Sequence, residues 1–184
     1  MTRFSLSPQG WVNEARRVPS PNCDARPDGQ VPELLVVHAI SLPPDQFGGP
    51  GVEQLFTNTL DPAEHAYYEQ IQHLRVSAHL FIRRDGELVQ FVSTHQRAWH
   101  AGVSSWKGRE RCNDFSIGIE LEGCDTLAFE EEQYACLGDL IICLSHAYPI
   151  AGVQGHSDIA PGRKTDPGPC FDWGKICDLP HVVG

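Results

Sequence analysis

Residues 33–40, Glu-Leu-Leu-Val-Val-His-Ala-Ile, form a short apolar run that decides the fold class. Pro32 precedes the run and Pro43-Pro44 follow it, so both ends carry residues that interrupt regular structure. Branched side chains in so short a run are typical of a β-strand that is buried on both faces. The sequence therefore predicts a sheet that is covered on each side.

One histidine interrupts this apolar run. His38 shares a face with Leu34 and Val36, and it lies close enough to the end of the strand for its side chain to leave the sheet edge. It is either a core histidine that hydrogen-bonds to the backbone or a residue that lines a functional site. The strand alone does not decide between these two interpretations.

A second strand is predicted over residues 115–122, Phe-Ser-Ile-Gly-Ile-Glu-Leu-Glu. Alternation divides it into an apolar face, with Phe115, Ile117, Ile119 and Leu121, and a face of small and acidic residues, with Ser116, Gly118, Glu120 and Glu122. Small neighbours are expected to leave space above the Glu120 carboxylate, which suits a general base. Glu122 has the same register, and spacing alone does not separate the two.

Helices and a hairpin complete the predicted elements. Residues 129–148 carry apolar side chains at helical spacing, and shorter helices are predicted over residues 9–17 and from Asp61 onwards. Asp85-Gly86 is a strong hairpin signal between two apolar segments. This order of elements predicts an α/β (α+β) fold, in which a mixed β-sheet is flanked by helices.

Residues 155–169, Gly-His-Ser-Asp-Ile-Ala-Pro-Gly-Arg-Lys-Thr-Asp-Pro-Gly-Pro, form a loop that is rich in reactive side chains. Three prolines restrict its conformations, so His156, Lys164 and Asp166 can converge on one point at little further cost in entropy. Imidazole nitrogen and carboxylate oxygen are ordinary zinc ligands, and a catalytic zinc needs three protein ligands and an open fourth position. His38 is the best candidate for the third ligand.

Composition and charge exclude several classes of protein. The chain of 184 residues is 41% hydrophobic, which suffices for one catalytic domain over residues 1–184. Its formal charge of -10 argues against nucleic-acid or anionic-membrane partners. It has no apolar segment of the length that a signal peptide or a membrane span requires, so we expect a cytoplasmic protein.

Four segments together resemble the zinc-dependent N-acetylmuramoyl-L-alanine amidases: residues 34–38, 97–102 (Arg-Ala-Trp-His-Ala-Gly), 115–122 and 156–169. The resemblance covers nearly the whole chain, and the last segment is its most specific part. It implies the amidase and peptidoglycan-recognition fold and one Zn²⁺ per chain. The implied zinc ligands are His38, His156 and Asp166, and the implied catalytic pair is Glu120 and Lys164.

The resemblance also implies a reaction. Zinc would acidify a water molecule and polarise the substrate carbonyl, Glu120 would act as general base, and Lys164 would stabilise the oxyanion. The alternative for Lys164 is a solvated loop charge. More narrowly, the segments resemble the amidases that cleave the bond between the lactyl group of 1,6-anhydro-N-acetylmuramic acid and L-alanine of the stem peptide. This implies cytoplasmic peptidoglycan recycling, a lowered muropeptide signal for inducible β-lactamase expression, and no obligate protein partner.

Substrate binding requires a locally basic site, because muropeptide carboxylates are repelled by an acidic protein. Arg75 and Arg111 are the candidates for holding a carboxylate, and Trp99 is the candidate for an apolar wall against the sugar. All three residues have structural alternatives, as surface charges or as a core tryptophan. Ala39 departs from the asparagine of the similar amidases, so the resemblance implies no substrate hydrogen bond from this position.

Three other functions fit parts of the sequence. A non-catalytic muropeptide-binding module would share the fold but typically lacks part of the zinc set. A zinc peptidase would cleave a plain tetrapeptide as readily as a muropeptide. A thiol hydrolase would survive chelators and lose activity on alkylation, but the seven cysteines are odd in number and lack a Cys-x-x-Cys pair, so we expect free core thiols.

Overall fold

The computed structural model describes residues 3–182. Its strands are β1 (Arg16–Arg17), β2 (Cys23–Ala25), β3 (Leu34–Ile40), β4 (Leu80–Ile82), β5 (Leu88–Gln90), β6 (Gln96–Ala98), β7 (Ser105–Trp106), β8 (Arg109–Glu110), β9 (Ser116–Glu122) and β10 (Gly152–Gly155). Its α-helices are α1 (Gly51–Phe56), α2 (Ala66–Ile71), α3 (Glu131–Ala147) and α4 (His156–Ile159). Short 3₁₀ turns cover Cys112–Asp114 and Trp173–Lys175.

A six-stranded mixed sheet forms the centre, in the order β1-β5-β4-β9-β3-β10. The strands β4, β9, β3 and β10 run parallel to one another, whereas β4 and β5 form the antiparallel hairpin that Asp85-Gly86 predicts. Two further two-stranded sheets, β2-β6 and β7-β8, lie outside it. The predicted mixed sheet with flanking helices is confirmed.

Both faces of the sheet are buried, as the apolar run at residues 33–40 predicts. On one face, Leu35 and Val37 pack in a single cluster with the apolar side of α3. On the other, Leu34 and Val36 pack with Ile159 of α4, while α1 and α2 cover the hairpin strands. Within the part of the chain that the structure describes, no helix is long and apolar enough to cross a membrane.

Two local predictions are wrong. Residues 9–17 contain turns and β1 instead of a helix, because Gly10 adopts a φ of 78° and the Val12 amide donates to the Gln90 side chain at 2.7 Å. The helix predicted from Asp61 begins only at Ala66. Asp61 accepts a hydrogen bond within a turn, and His65 caps the helix by accepting from the amide of Tyr67.

The face assigned to Phe115 is also wrong. This residue follows a 3₁₀ turn and precedes β9, so the alternation of the strand does not reach it. Its ring packs with Leu34 and Val36, on the face of the sheet opposite Ile117 and Ile119.

Candidate functional site

The register of the two central strands brings His38 and Glu120 together. They are direct partners across the parallel pair β3-β9, so their side chains leave the sheet on the same face. The His38 Nδ1 and Glu120 Oε1 atoms are 3.9 Å apart. The strand pairing thus places Glu120, and not Glu122, beside His38.

Glu122 has a different environment. Its carboxylate accepts hydrogen bonds from the backbone amides of Gly48 at 2.6 Å and Arg84 at 3.2 Å. Glu122 is buried, and these two amides satisfy the hydrogen bonding of its carboxylate. It does not line the cavity beside Glu120. Glu122 therefore holds two loops in place, whereas the Glu120 Oε2 atom is buried without a protein hydrogen-bond partner.

The segment at residues 155–169 turns back to bring a histidine and an aspartate together. It begins with the short helix α4 rather than as a continuous loop, and His156 is the first residue of that helix, directly after β10. The Ser157 amide donates to the backbone carbonyl of Asp166 at 2.9 Å, which closes the segment. His156 Nδ1 consequently lies 3.1 Å from Asp166 Oδ2.

His38, His156 and Asp166 form a group that can hold a metal ion. One donor atom from each lies within 4.8 Å of the others. Asp166 Oδ2 is also 3.0 Å from His38 Nδ1, and both histidines are only 2% exposed. Two imidazole nitrogens and one carboxylate oxygen are a donor set that zinc accepts, so the residues present fit the ion that the sequence predicts.

The protonation states suit a cation. Burial lowers the pKa of His38 to about 4, which keeps its ring neutral. Burial alone would raise the pKa of Asp166, but hydrogen bonds from His156 and His38 outweigh it and hold that pKa below its usual range. A neutral imidazole and an ionised carboxylate are the forms in which these side chains bind metals.

Glu120 has the opposite shift. Burial raises the pKa of its carboxyl well above the usual range, and the nearby negative charge of Asp166 adds to the effect. A carboxyl group whose pKa is raised in this way is suited to accept and return a proton during catalysis.

A cavity of about 400 Å³ opens above these residues. Among the predicted site residues, those that line it are His38, His156, Asp166, Glu120, Lys164 and Trp99. Trp99 also donates from Nε1 to Asp24 at 3.2 Å, which fixes its ring. Ser41, Leu42 and Pro44, in the loop that follows β3, belong to the rim.

The two predicted arginines lie outside this lining. Arg75 donates to the carbonyls of Gln72 and Leu74, and Arg111 is paired with Asp114 at 3.4 Å. The Arg111 side chain is 71% exposed and borders a neighbouring depression. A role for either arginine in binding a substrate carboxylate stays a prediction.

Sequence reasoning missed several residues of the site. The rim of the cavity includes Tyr67, Ile71 and Leu74, which come from α2 and the turn after it. The regular spacing of these three apolar residues is the feature of the sequence that could have identified them. His100 also lines the cavity, and burial together with the imidazole of His38 holds its pKa well below the usual range. The sequence predicts free space beside the small residues Ser116 and Gly118, but the His100 ring fills it.

Comparison with known proteins defines the class. The sequence profile of the N-acetylmuramoyl-L-alanine amidases matches residues 28–169, which is most of the chain. The chain therefore belongs to the N-acetylmuramoyl-L-alanine amidase family of enzymes. Within the family, it is 60% identical over 173 residues to the 1,6-anhydro-N-acetylmuramyl-L-alanine amidase AmpD of Escherichia coli, covering 93% of this chain and 94% of that protein.

Solved structures agree with this placement. A crystal structure of a selenomethionine derivative of AmpD is 62% identical, with a TM-score of 0.90 over 93% of this chain and 96% of that one. AmpDh3 from Pseudomonas aeruginosa in complex with anhydromuramic pentapeptide is 31% identical, with a TM-score of 0.58 over 82% of this chain and 60% of that one. The resemblance to this family that the sequence segments carry is confirmed.

Proposed function

We propose that this amidase hydrolyses the amide between the lactyl group of 1,6-anhydro-N-acetylmuramic acid and L-alanine of the stem peptide, using one zinc ion. The observation that carries the proposal is the position of the Glu120 carboxylate. Glu120 lines the cavity beside the convergent donor atoms of His38, His156 and Asp166, and its buried Oε2 has no protein hydrogen-bond partner. A proton acceptor next to a metal-binding group is what metal-assisted amide hydrolysis requires.

Each residue has a definite task in this reaction. Zinc bound by His38, His156 and Asp166 would supply a Lewis acid that polarises the amide carbonyl and makes water more acidic. Glu120 takes the proton of the attacking water and returns it to the nitrogen of the leaving L-alanine. The ammonium group of Lys164, which lines the same cavity, stabilises the negative charge that develops on the carbonyl oxygen.

The substrate follows from the relatives and from the cavity. The similar E. coli enzyme is a 1,6-anhydro-N-acetylmuramyl-L-alanine amidase, and AmpDh3 is seen with an anhydromuramic pentapeptide. Trp99, Ile71 and Leu74 give this cavity an apolar wall that suits the bicyclic anhydro sugar. Anhydro-muropeptides are turnover fragments, so we place the enzyme in the cytoplasm, in peptidoglycan recycling. There it would lower the muropeptide signal for inducible β-lactamase expression in bacteria that have such a circuit.

One pair of assays tests the proposal. Purified protein is analysed for metal and then incubated with anhydro-muropeptide and with the corresponding free tetrapeptide. We expect about one zinc per chain and products that correspond to anhydro-muramic acid species plus free stem peptide, with no cleavage of the tetrapeptide. Cleavage inside the tetrapeptide would instead identify a zinc peptidase. Binding of muropeptide without turnover in the zinc-loaded protein would identify a binding module.

A further inference from the structure

A third buried imidazole lies behind the metal-binding group. His100 Nδ1 is 2.8 Å from Nε2 of His38, and its own Nε2 is 3.1 Å from the hydroxyl oxygen of Ser116. The two histidine rings are perpendicular, with an interplanar angle of 88°. None of the catalytic steps described above uses His100, although it belongs to the motif at residues 97–102.

The surrounding residues fix the position of this ring. A Cβ atom on Gly118 would lie 2.5 Å from Cγ of His100, so a glycine is needed for the ring to lie against β9. The backbone amides of His100 and Ala101 both donate to Oδ1 of Asn113, at 3.2 and 2.8 Å. The imidazole therefore has one location and one orientation relative to His38.

The hydrogen bonds of the other histidine ligand show what this arrangement supplies. His156 presents Nδ1 to Asp166, and its Nε2 lies 3.0 Å from the carbonyl oxygen of Ala101. When a metal ion binds Nδ1 in place of its proton, the remaining ring proton of His156 is on Nε2, where the Ala101 carbonyl accepts it. Ligand histidines usually have such an acceptor behind them, and it fixes both the tautomer and the ring orientation.

The group behind Nε2 of His38 is not a carbonyl but Nδ1 of His100. We propose that His100 is a positioning residue, whose unprotonated Nδ1 accepts the Nε2 proton of His38 and so keeps the Nδ1 lone pair of His38 directed at the metal. His100 then carries its own proton on Nε2 and donates it to the hydroxyl oxygen of Ser116. The inference rests on the zinc site proposed above and extends it by one residue.

The proposal predicts how substitutions of His100 change the affinity of the protein for zinc, which is measured by competition with a chromophoric chelator. The His100→Leu substitution replaces the imidazole with an apolar group of similar size and so removes the acceptor. We expect this variant to bind zinc about 10–100-fold more weakly. His100→Asn places an amide oxygen near the position of Nδ1 and should recover most of the loss. His79→Leu is the matched control, because it removes a buried imidazole that contacts His100 but not His38. Its zinc affinity should stay within about 3-fold of the wild type, against the 10–100-fold expected of a lost supporting partner.

Three results would overturn the proposal. They are wild-type zinc affinity in His100→Leu, equal losses in the Leu and Asn variants, and an equal loss in the His79 control. The tautomers of the histidines can be determined without any variant. The measurement is a long-range nitrogen correlation spectrum of zinc-loaded wild-type protein labelled with nitrogen-15. Nδ1 of His100 should be unprotonated, and a proton on that atom would exclude the proposed role even if the Leu variant failed to fold. Failure of the wild type to bind zinc would instead refute the metal site itself.

Discussion

His38 and Glu120 are partners across the central parallel strands, and their side chains emerge 3.9 Å apart on one face of the sheet. A proposed metal ligand and a proposed base are therefore held by the two central strands, in which seven residues of each strand pair in register. Side chains on paired strands are positioned more precisely than side chains on loops. Their relative position should persist whether or not substrate is bound.

The metal site is tested by removing its ligands one at a time. His38→Ala, His156→Ala and Asp166→Ala should each lose zinc, since three protein ligands leave no redundancy. Metal content of the purified variants is the measurement, and His73→Ala, which changes an exposed histidine, is the control. Full retention of zinc by one of the three variants would remove that residue from the site.

The two glutamates should have separable effects. Glu120→Ala should retain zinc and lower kcat by about 10²-fold or more, the scale of a positioned general base. Glu122→Ala leaves the amides of Gly48 and Arg84 unpaired, so it should lower the free energy of unfolding by about 1–3 kcal/mol. Steady-state kinetics and urea unfolding separate the two. A large loss of kcat in the Glu122 variant, with a normal Glu120 variant, would reverse the assignment.

Lys164 should act on the transition state. If its ammonium group meets negative charge only as the carbonyl oxygen gains it, Lys164→Ala should lower kcat and kcat/KM by similar factors, on the order of 10²-fold, and leave KM nearly unchanged. Lys107→Ala, which removes an exposed cation that does not line the cavity, is a control for a general effect of charge. A defect confined to KM would show that Lys164 holds a substrate carboxylate instead.

The pH dependence of folding should report His79. Burial, followed by the positive charge of Arg26, lowers the pKa of His79 to about 3. The unfolded chain has a histidine pKa near 6.5 and takes up a proton that the folded chain refuses, so stability falls as the pH drops from about 6.5 towards 3. In metal-free protein, His79→Leu should reduce this slope by about 1 kcal/mol per pH unit. Urea unfolding at several pH values measures it, and parallel curves for the two proteins would exclude the effect.

The sequence predicts the elements whose signal is local. The buried strand at residues 33–40, the alternating strand at residues 115–122 and the long helix are all found, because apolar spacing alone specifies them. The predicted helix over residues 9–17 failed because the side chain of Gln90, far away in sequence, holds this backbone in turns. Local propensity cannot include such a partner.

The same distinction applies to the site. The types and spacing of His156, Lys164 and Asp166 indicate a metal loop, and the structure brings all three to one cavity. Residue spacing does not indicate a role for His100, although it lies in the segment at residues 97–102, because its environment is created by Gly118 and Ser116 of β9. The choice between Glu120 and Glu122 likewise depends on strand register, which a single sequence does not specify.

The separation of the proposed ligands along the chain has a consequence for biosynthesis. His38 and Asp166 are 128 positions apart, and they meet only when β10 pairs with β3. At about 5–20 residues per second, a ribosome needs several seconds or more between the two codons, so nascent His38 waits without its partners. Zinc capture is then confined to the finished, fully paired chain. A truncated product of aborted translation would not sequester the metal, and nuclease-trapped nascent chains ending before residue 150 should release no more zinc than an unrelated nascent chain.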